Sequence, residues 1–353
     1  MTLLSRYVGV FVLGSIALVL LVVLSLDVIA ALIDGLEDID DNYRFVHVLE
    51  YIALTLPARV YVHLPFAALI GCLLGLGVLA SNAELVVMRA AGVSLLRISG
   101  FVLRPVLLVI IAGLLIGEYL VPHSDQLAET RRMVRQGGQA AVASTSGVWN
   151  REGNEFIHFN AVDSNGRLYG VTRYRFGADR AIEEVSFAAL ATHFGDHWLE
   201  EQGMITRFKE DRTETDTFVT RRWDTELSPD FLQLLSMTAD SLPVAKLYHY
   251  ASYLDNQGHT STAYWLAFWG KVLQPLTVLG LVLVAVSFVF GPLREATMGF
   301  RIFSGVVVGI AFQTLQQLLG PSSIVFGFPA LWAVLAPALG CMLVGLLLLR
   351  RAA

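Results

Sequence analysis

"LASNAELVVMRAAG", Leu79–Gly92, lies between two apolar runs that are each long enough to cross a membrane. A polar break between two spans is ordinarily short and turn-like. This one carries Glu84 and Arg89, yet it keeps an apolar stripe at helical spacing: Leu79, Ala83, Val86 or Val87, and Ala90. The spacing predicts a small amphipathic helix within residues 79–97. Its flanks decide the fold class. A spanning helix needs about 20 mostly apolar residues. Six segments qualify, at 7–34, 52–80, 100–121, 265–290, 302–319 and 330–349. Pro57 and Pro65 in the second predict tilt or a kink.

Composition agrees. The 353 residues are 55% hydrophobic and only 16% charged, with a mean hydropathy of +0.60, whereas soluble domains carry about 25% charged residues. A net charge of −5 argues against a nucleic-acid partner, which would favour a basic surface. Cys72 and Cys341 both sit in apolar runs and read as small hydrophobes rather than as a disulfide or metal site. Arg6 and the apolar run after it are too long for the roughly 7–15-residue core of a signal peptide, so they read as a retained first span.

Between the third and fourth spans the period changes from helical to two. "GVWNREGNEFIHFNAV", from Gly147, alternates around a Gly-containing turn. "RLYGVTRYRF", "EVSFAALATHF", "HWLEEQGMITRF" and "DTFVTRRW" follow at about ten-residue spacing, the signature of a sandwich, barrel or jelly roll. "PVAKLYHYASYLDNQG" then returns to helical spacing. The expected organisation is a membrane α-helical protein of six transmembrane helices with an inserted β-domain. Helices one to three occupy 1–121, the β-domain with helical connectors 122–264, and helices four to six 265–353.

Arginine placement sets the expected orientation. Arg6, Arg89, Arg97, Arg104, Arg294, Arg301, Arg350 and Arg351 fall on one side if both termini are cytoplasmic. The β-domain is then extracytoplasmic, and the acidic "DGLEDIDDNYRF" from Asp34 lies on its side.

No Walker A, H-E-x-x-H or G-x-S-x-G sequence occurs, so the chain reads as non-catalytic and draws any energy from a partner. His193 and His197 flank a Gly-Asp turn and read as strand and loop residues rather than ligands. Ionisable residues within spans are functional candidates by default. Asp27 and Asp34, seven apart, share a face of span one, and Arg59 and Lys271 read as either snorkelling or functional. Arg131, Arg132 and Arg135 follow span three on a polar helical stretch, as a solvated face or an anion site. Gln313, Gln316 and Gln317 near the end of span five read as interhelical contacts or lipid-headgroup contacts.

Several long stretches resemble the LptF/LptG family, the membrane subunits of the lipopolysaccharide export ABC transporter. "AELVVMRAAG" is similar to the family's SELVVM-x-A-x-G, with Ala83 where serine is usual, and is closer to its LptG branch. "GVWNREGNEFIHF", "YWLAFWGKVLQPL", "SFVFGPLREATMG" and "GPSSIVFGFP" are similar to further landmarks. The resemblance implies a periplasmic β-jellyroll and residence in a bacterial inner membrane. It implies an LptF-like permease partner, an LptB-like ATPase dimer that holds the ATP and Mg²⁺, an LptC-like single-span protein, and lipopolysaccharide as cargo. This chain is expected to hold no cofactor or metal.

On that resemblance the 79–97 helix is a coupling helix, with Glu84, Leu85, Val86, Met88, Arg89 and Gly92 as ATPase-coupling candidates. Arg59, Arg131, Arg132 and Lys271 are headgroup candidates, since a guanidinium suits phosphate. Phe66, Leu69, Ile310 and Phe312 are expected to line a lipid cavity, with Leu26, Gln313 and Gln316 at a lateral gate. Some relatives carry lysines near the end of span one. Acids stand there instead, so that headgroup contact does not carry over, and whether Asp38, Asp40 and Asp41 bridge to phosphate through divalent cations is left open by the sequence. The competing readings are a membrane-anchored scaffold whose β-domain docks envelope-assembly partners, and an intramembrane enzyme. A scaffold has no need of a cytosolic lever, and an enzyme needs paired groups on facing spans.

Overall fold

A computed structural model describes residues 2–39, 43–135, 148–162, 167–177, 181–209, 211–225, 239–256, 261–291 and 296–352. Asp40, Asp41 and Arg294 lie outside the described residues. The described helices are α1 (Thr2–Glu37), α2 (Phe45–Ser81), α3 (Glu84–Ala90), α4 (Leu95–Leu115), α5 (Val121–Arg135), α6 (Val244–Asn256), α7 (Thr262–Phe290), α8 (Met298–Phe326) and α9 (Ala330–Ala352). Among the described residues, six helices are long and apolar enough to span a membrane. The 36 and 37 residues of α1 and α2 reach about 55 Å at about 1.5 Å per residue. That exceeds a hydrocarbon core of about 30 Å.

Two compact units emerge. The first joins Met1–Ala30, Leu56–Pro122 and Leu242–Ala353; the second joins Ala31–Thr55 with His123–Ser241. The sequence places the third span's end at residue 121. Instead α4 passes through a π turn, Ile116–Leu120, directly into the polar α5.

In the first unit, α2 and α4 pack with α7 around one apolar cluster that includes Val12, Leu73, Leu76, Ile98, Val282 and Val286. Lipid removes the usual hydrophobic drive between helices, so close backbone approach matters more. Gly71 shows it: a Cβ there would stand 2.5 Å from the Ile16 Cα of α1. Helix α2 runs unbroken through Pro57 and Pro65.

The second unit holds strands β1 (Val148–Glu152), β2 (Glu155–Phe159), β3 (Ala161–Val162), β4 (Arg167–Phe176), β5 (Ile182–His193), β6 (Trp198–Phe208) and β7 (Thr213–Trp223). Every predicted alternating segment forms a strand. The sheet runs β1-β2-β4-β5-β6-β7, with β3 also on β4, and every pairing is antiparallel. Among the described residues the connectivity is up-and-down, and the crossover that defines a jelly roll is not part of it. Gly153 turns the first hairpin at φ 58.

Ile157, Phe159, Leu168, Val171, Ala191, Trp198 and Trp223 form the core of the sheet. Charges of alternating sign stand directly opposite one another in the register Glu155↔Arg175↔Glu184↔Arg207↔Glu214. A one-residue slip would scatter that row and turn the core face outward, so the register is doubly specified. Burial opposes ionisation of Glu184, but Arg221, Arg175 and Arg207 outweigh it and hold the carboxyl below its ordinary range. Arg173 is buried beneath the sheet, 2.8 Å from Glu200 and 3.0 Å from Glu155, with its guanidinium over the Trp223 ring.

Candidate functional site

The break between α2 and α4 is shorter than the sequence predicts. Leu79 belongs to α2 and is fully buried. Ala83 takes a left-handed conformation, φ 60, and its carbonyl accepts the first bond of α3 from the Val87 N–H at 3.0 Å. Glu84 opens the helix and Arg89 lies in its last turn, each at the end its charge suits. The helix stops in a Schellman arrangement. The Val93 N–H donates to the Met88 carbonyl at 3.1 Å, the Gly92 N–H donates to Arg89 at 3.0 Å, and Gly92 sits at φ 83. Val93 and Met88 are both in the core cluster, the apolar contact that accompanies this motif.

Seven residues make two turns, and the two sides of α3 differ. Leu85 and Met88 are buried in the chain's own core. Val86 and Val87 are 56% and 66% exposed. Of the predicted stripe, Ala83, Val86, Val87 and Ala90 are exposed, and Leu79 alone is buried. Leu79, Leu85 and Met88 anchor the element and are unavailable to a partner, while the adjacent valines face outward. The sequence period was compatible with either side, and the entry of Leu85 and Met88 into the core cluster decides it. Gly92 is a terminator of the helix.

The four headgroup candidates occupy three settings, and each is engaged. Arg59 on α2 donates to Asp27 of α1 at 2.5 Å, and His63, one turn on, lies 3.4 Å from the same carboxylate. Asp27 thus pairs across two spans, and Arg59 does so rather than snorkel. In the second unit, Glu50 receives both Arg131 and Arg135. Arg132 donates to Asp38 at 2.6 Å and lies over the Tyr51 ring, 4.9 Å from its centre. Asp38, one of the acids after the first span, is thus matched with an arginine. Arg131 and Arg132 keep 47% and 29% of their side chains exposed.

Lys271 of α7 is buried. Its ammonium donates to the carbonyls of Leu242 at 2.7 Å and Gly117 at 3.3 Å. Gly117 lies in the π turn, where a Cβ would stand 2.4 Å from the Tyr61 ring. The neighbouring Glu118 accepts the Val244 N–H at the start of α6, at 2.9 Å. A cleft of about 270 Å³ opens here, lined by Tyr61, Leu115, Glu118 and Lys271 among others. A lysine bonded to two carbonyls is a structural tie before it is a headgroup ligand, and hydropathy alone could not reveal those carbonyls.

The cavity candidates divide by face. Leu69 is fully buried, Phe312 nearly so, and Phe66 packs on Gly309. Leu69 and Phe312 thus belong to the chain's own core cluster, and Phe66 stays half-buried. Leu26 at 65% and Ile310 at 54% exposure face outward, as do Gln313 and Gln317, while Gln316 is half-buried. Ile310, Gln313, Thr314 and Gln317 form one helical stripe of α8. Exposed amides in a spanning helix call for a protein or aqueous surface opposite them. Arg301, which sequence reasoning used only to orient the chain, is buried and donates to the Gly77 carbonyl at 2.9 Å.

The sequence matches the family described as "Lipopolysaccharide export system permease LptF/LptG" over residues 6–351. It is 32% identical over 355 residues to the lipopolysaccharide export system permease protein LptG of Escherichia coli (strain K12), covering 99% of this chain and 98% of that protein. It is also 32% identical over 339 residues to the protein of the same name from Haemophilus influenzae, with 95% of each chain covered.

Proposed function

The chain belongs to the LptF/LptG family of lipopolysaccharide export permeases, and from that premise we propose that it is driven through α3 by a separate ATPase. It extracts lipopolysaccharide from the outer leaflet of the inner membrane and passes it to a periplasmic bridge. Both termini and α3 are cytoplasmic and the β-unit is periplasmic. The partners are a second permease subunit of the LptF kind, an LptB-like ATPase dimer carrying ATP and Mg²⁺, and an LptC-like single-span protein.

One observation carries this reading. A two-turn helix between two spans is pinned by Leu85 and Met88 while it presents Val86, Val87 and Arg89 outward. That is the form of an amphipathic helix laid into a groove on a soluble partner. An interfacial helix lying on lipid would favour several cations on its polar face, whereas this one carries one acid and one base. The scaffold reading leaves such an element without a purpose.

Lipid extraction is uphill, since each CH₂ withdrawn from the bilayer costs about 0.8 kcal/mol. Anion capture by the arginine cluster proceeds by exchange. A phosphate displaces Glu50 or Asp38 from guanidiniums already held in place, which selects for a multiply charged headgroup. Reconstitution with the ATPase and the second permease subunit tests the scheme. Glu84→Lys is expected to abolish ATPase recruitment or stimulation while leaving the permease folded. Arg132→Glu is expected to lower lipid-stimulated hydrolysis with assembly intact. Full stimulation of both variants by lipopolysaccharide would remove the basis for the proposal.

A further inference from the structure

Arg301 and Lys271 are the two cations buried in the membrane unit among the described residues. Lys271 ties an irregular turn. Arg301 has a different setting. It stands in the first turn of α8, directly after the Thr297 cap, and its Nη1 reaches the Gly77 carbonyl one turn before α2 ends. Beyond that end, Asn82 and Ala83 lead straight into α3.

Above Arg301 the two helices touch along a seam with a four-residue step on each side. Met298 and Arg301 meet Gly77, Gly305 meets Leu73, and Gly309 meets Phe66 and Leu69. The order reverses along the chain, so α2 and α8 run antiparallel. A side chain at either glycine would force its neighbour to shift. A Cβ would stand 2.4 Å from Leu73 Cδ1 at Gly305 and 2.5 Å from Phe66 Cε2 at Gly309. A small-xxx-small seam in lipid holds through close van der Waals packing. It can also slide, because it has few directional bonds. The Arg301–Gly77 bond supplies a directional one at the end nearest α3.

We propose that Arg301 is a positioning residue of the transport cycle, which locks α8 to α2 so that displacement of α3 by its ATPase partner moves α8. The alternative, a plain structural pin, accounts poorly for the residue. Burying a guanidinium is costly, and an apolar side chain of similar volume would hold two helices together at least as well. A directional contact has its use where register must survive a push. Helix α8 is also a suitable element to be moved. Its opposite stripe, Ile310, Gln313, Thr314 and Gln317, is exposed and polar enough to face a partner or a path. This inference rests on the proposed role of α3.

The test uses the reconstituted complex with ATPase and second permease subunit, with spin labels at Val22 on α1 and Leu315 on α8. Both positions are exposed. Arg301→Gln is expected to keep ATP hydrolysis within about twofold of the wild type. It should release at least about tenfold less lipopolysaccharide per ATP, and its label distance should no longer respond to nucleotide. Arg301→Lys, which keeps the cation, is expected to restore part of both. Gly305→Ala, which pries the seam open without touching the charge, should also uncouple, and it carries the test if Arg301→Gln does not assemble. Wild-type release per ATP together with a wild-type distance change in Arg301→Gln, or in Gly305→Ala if the former fails to assemble, overturns the inference. Absence of ATP-driven release by the wild-type complex would overturn the transport reading beneath it instead.

Discussion

Replacing Val86 and Val87 together with serine separates the two sides of α3. Complete burial of a valine is worth about 1.5–3 kcal/mol. These two retain 56% and 66% of their surface in the isolated chain, so a partner groove can still gain roughly half of that value from each. The pair is then worth about 2 kcal/mol, and its loss should weaken ATPase binding roughly 30-fold at about 1.4 kcal/mol per decade. The permease itself should be almost unaffected, because neither side chain fills its interior. Leu85→Ala is the contrasting control. It empties a buried position and should cost the permease about 2–5 kcal/mol, with any effect on binding following from unfolding. The assay is titration of labelled ATPase onto detergent-solubilised permease, beside thermal unfolding of each variant. Unchanged affinity in the double serine variant at an unchanged melting temperature would show that the outward valines do not meet the ATPase, and the reasoning from exposure would fail.

Other outcomes follow from particular contacts. Gly92→Val forces a β-branched residue to φ 83, at about 1–2 kcal/mol; it should fray the end of α3 and lower ATPase stimulation, while Gly92→Asn should retain more of it. Glu200→Ala removes the bidentate partner of a buried arginine. Loss of one partner of a buried pair costs about 3–5 kcal/mol, with the lower figure expected because Glu155 remains in reach of Arg173; faster hydrogen exchange in β4–β6 of the full-length protein is the readout. Glu184 has a folded carboxyl held below its unfolded value of about 4.3. Its contribution is therefore complete above that value and is lost as pH falls through the lower, folded one. The β-unit should lose hydrogen-exchange protection in acid, and Glu184→Gln should be less stable at neutral pH and show a flatter acid profile.

Much of the organisation was legible in the chain. Hydrophobic runs above the length of a bilayer announce spans because lipid leaves no other backbone solution. A period of two announces strands because successive side chains alternate in direction. The β4 segment "RLYGVTRYRF" was delimited to the residue, since Gly and polar clusters bound it. The helix ends were less legible. The passage of α4 through a π turn into α5 carries no hydropathy signal, because the polarity of α5 reads as the end of the span.

The sequence by itself determined the number of spans, the inserted β-unit, the existence of a helical break between the second and third spans and the inventory of charges within reach of the membrane. Tertiary structure alone decided which side of each helix faces inward and which charge meets which. Leu85 and Met88 turn in, whereas Val86 and Val87, equally apolar, turn out. Arg59 finds Asp27, Arg132 finds Asp38, and Lys271 and Arg301 find backbone carbonyls. Helical period specifies a stripe without specifying its neighbour. A charge written into an apolar run records only that a partner must exist, because desolvation makes it costly alone. That partner lies on another helix, far along the chain, and only the packing of the spans brings it into reach.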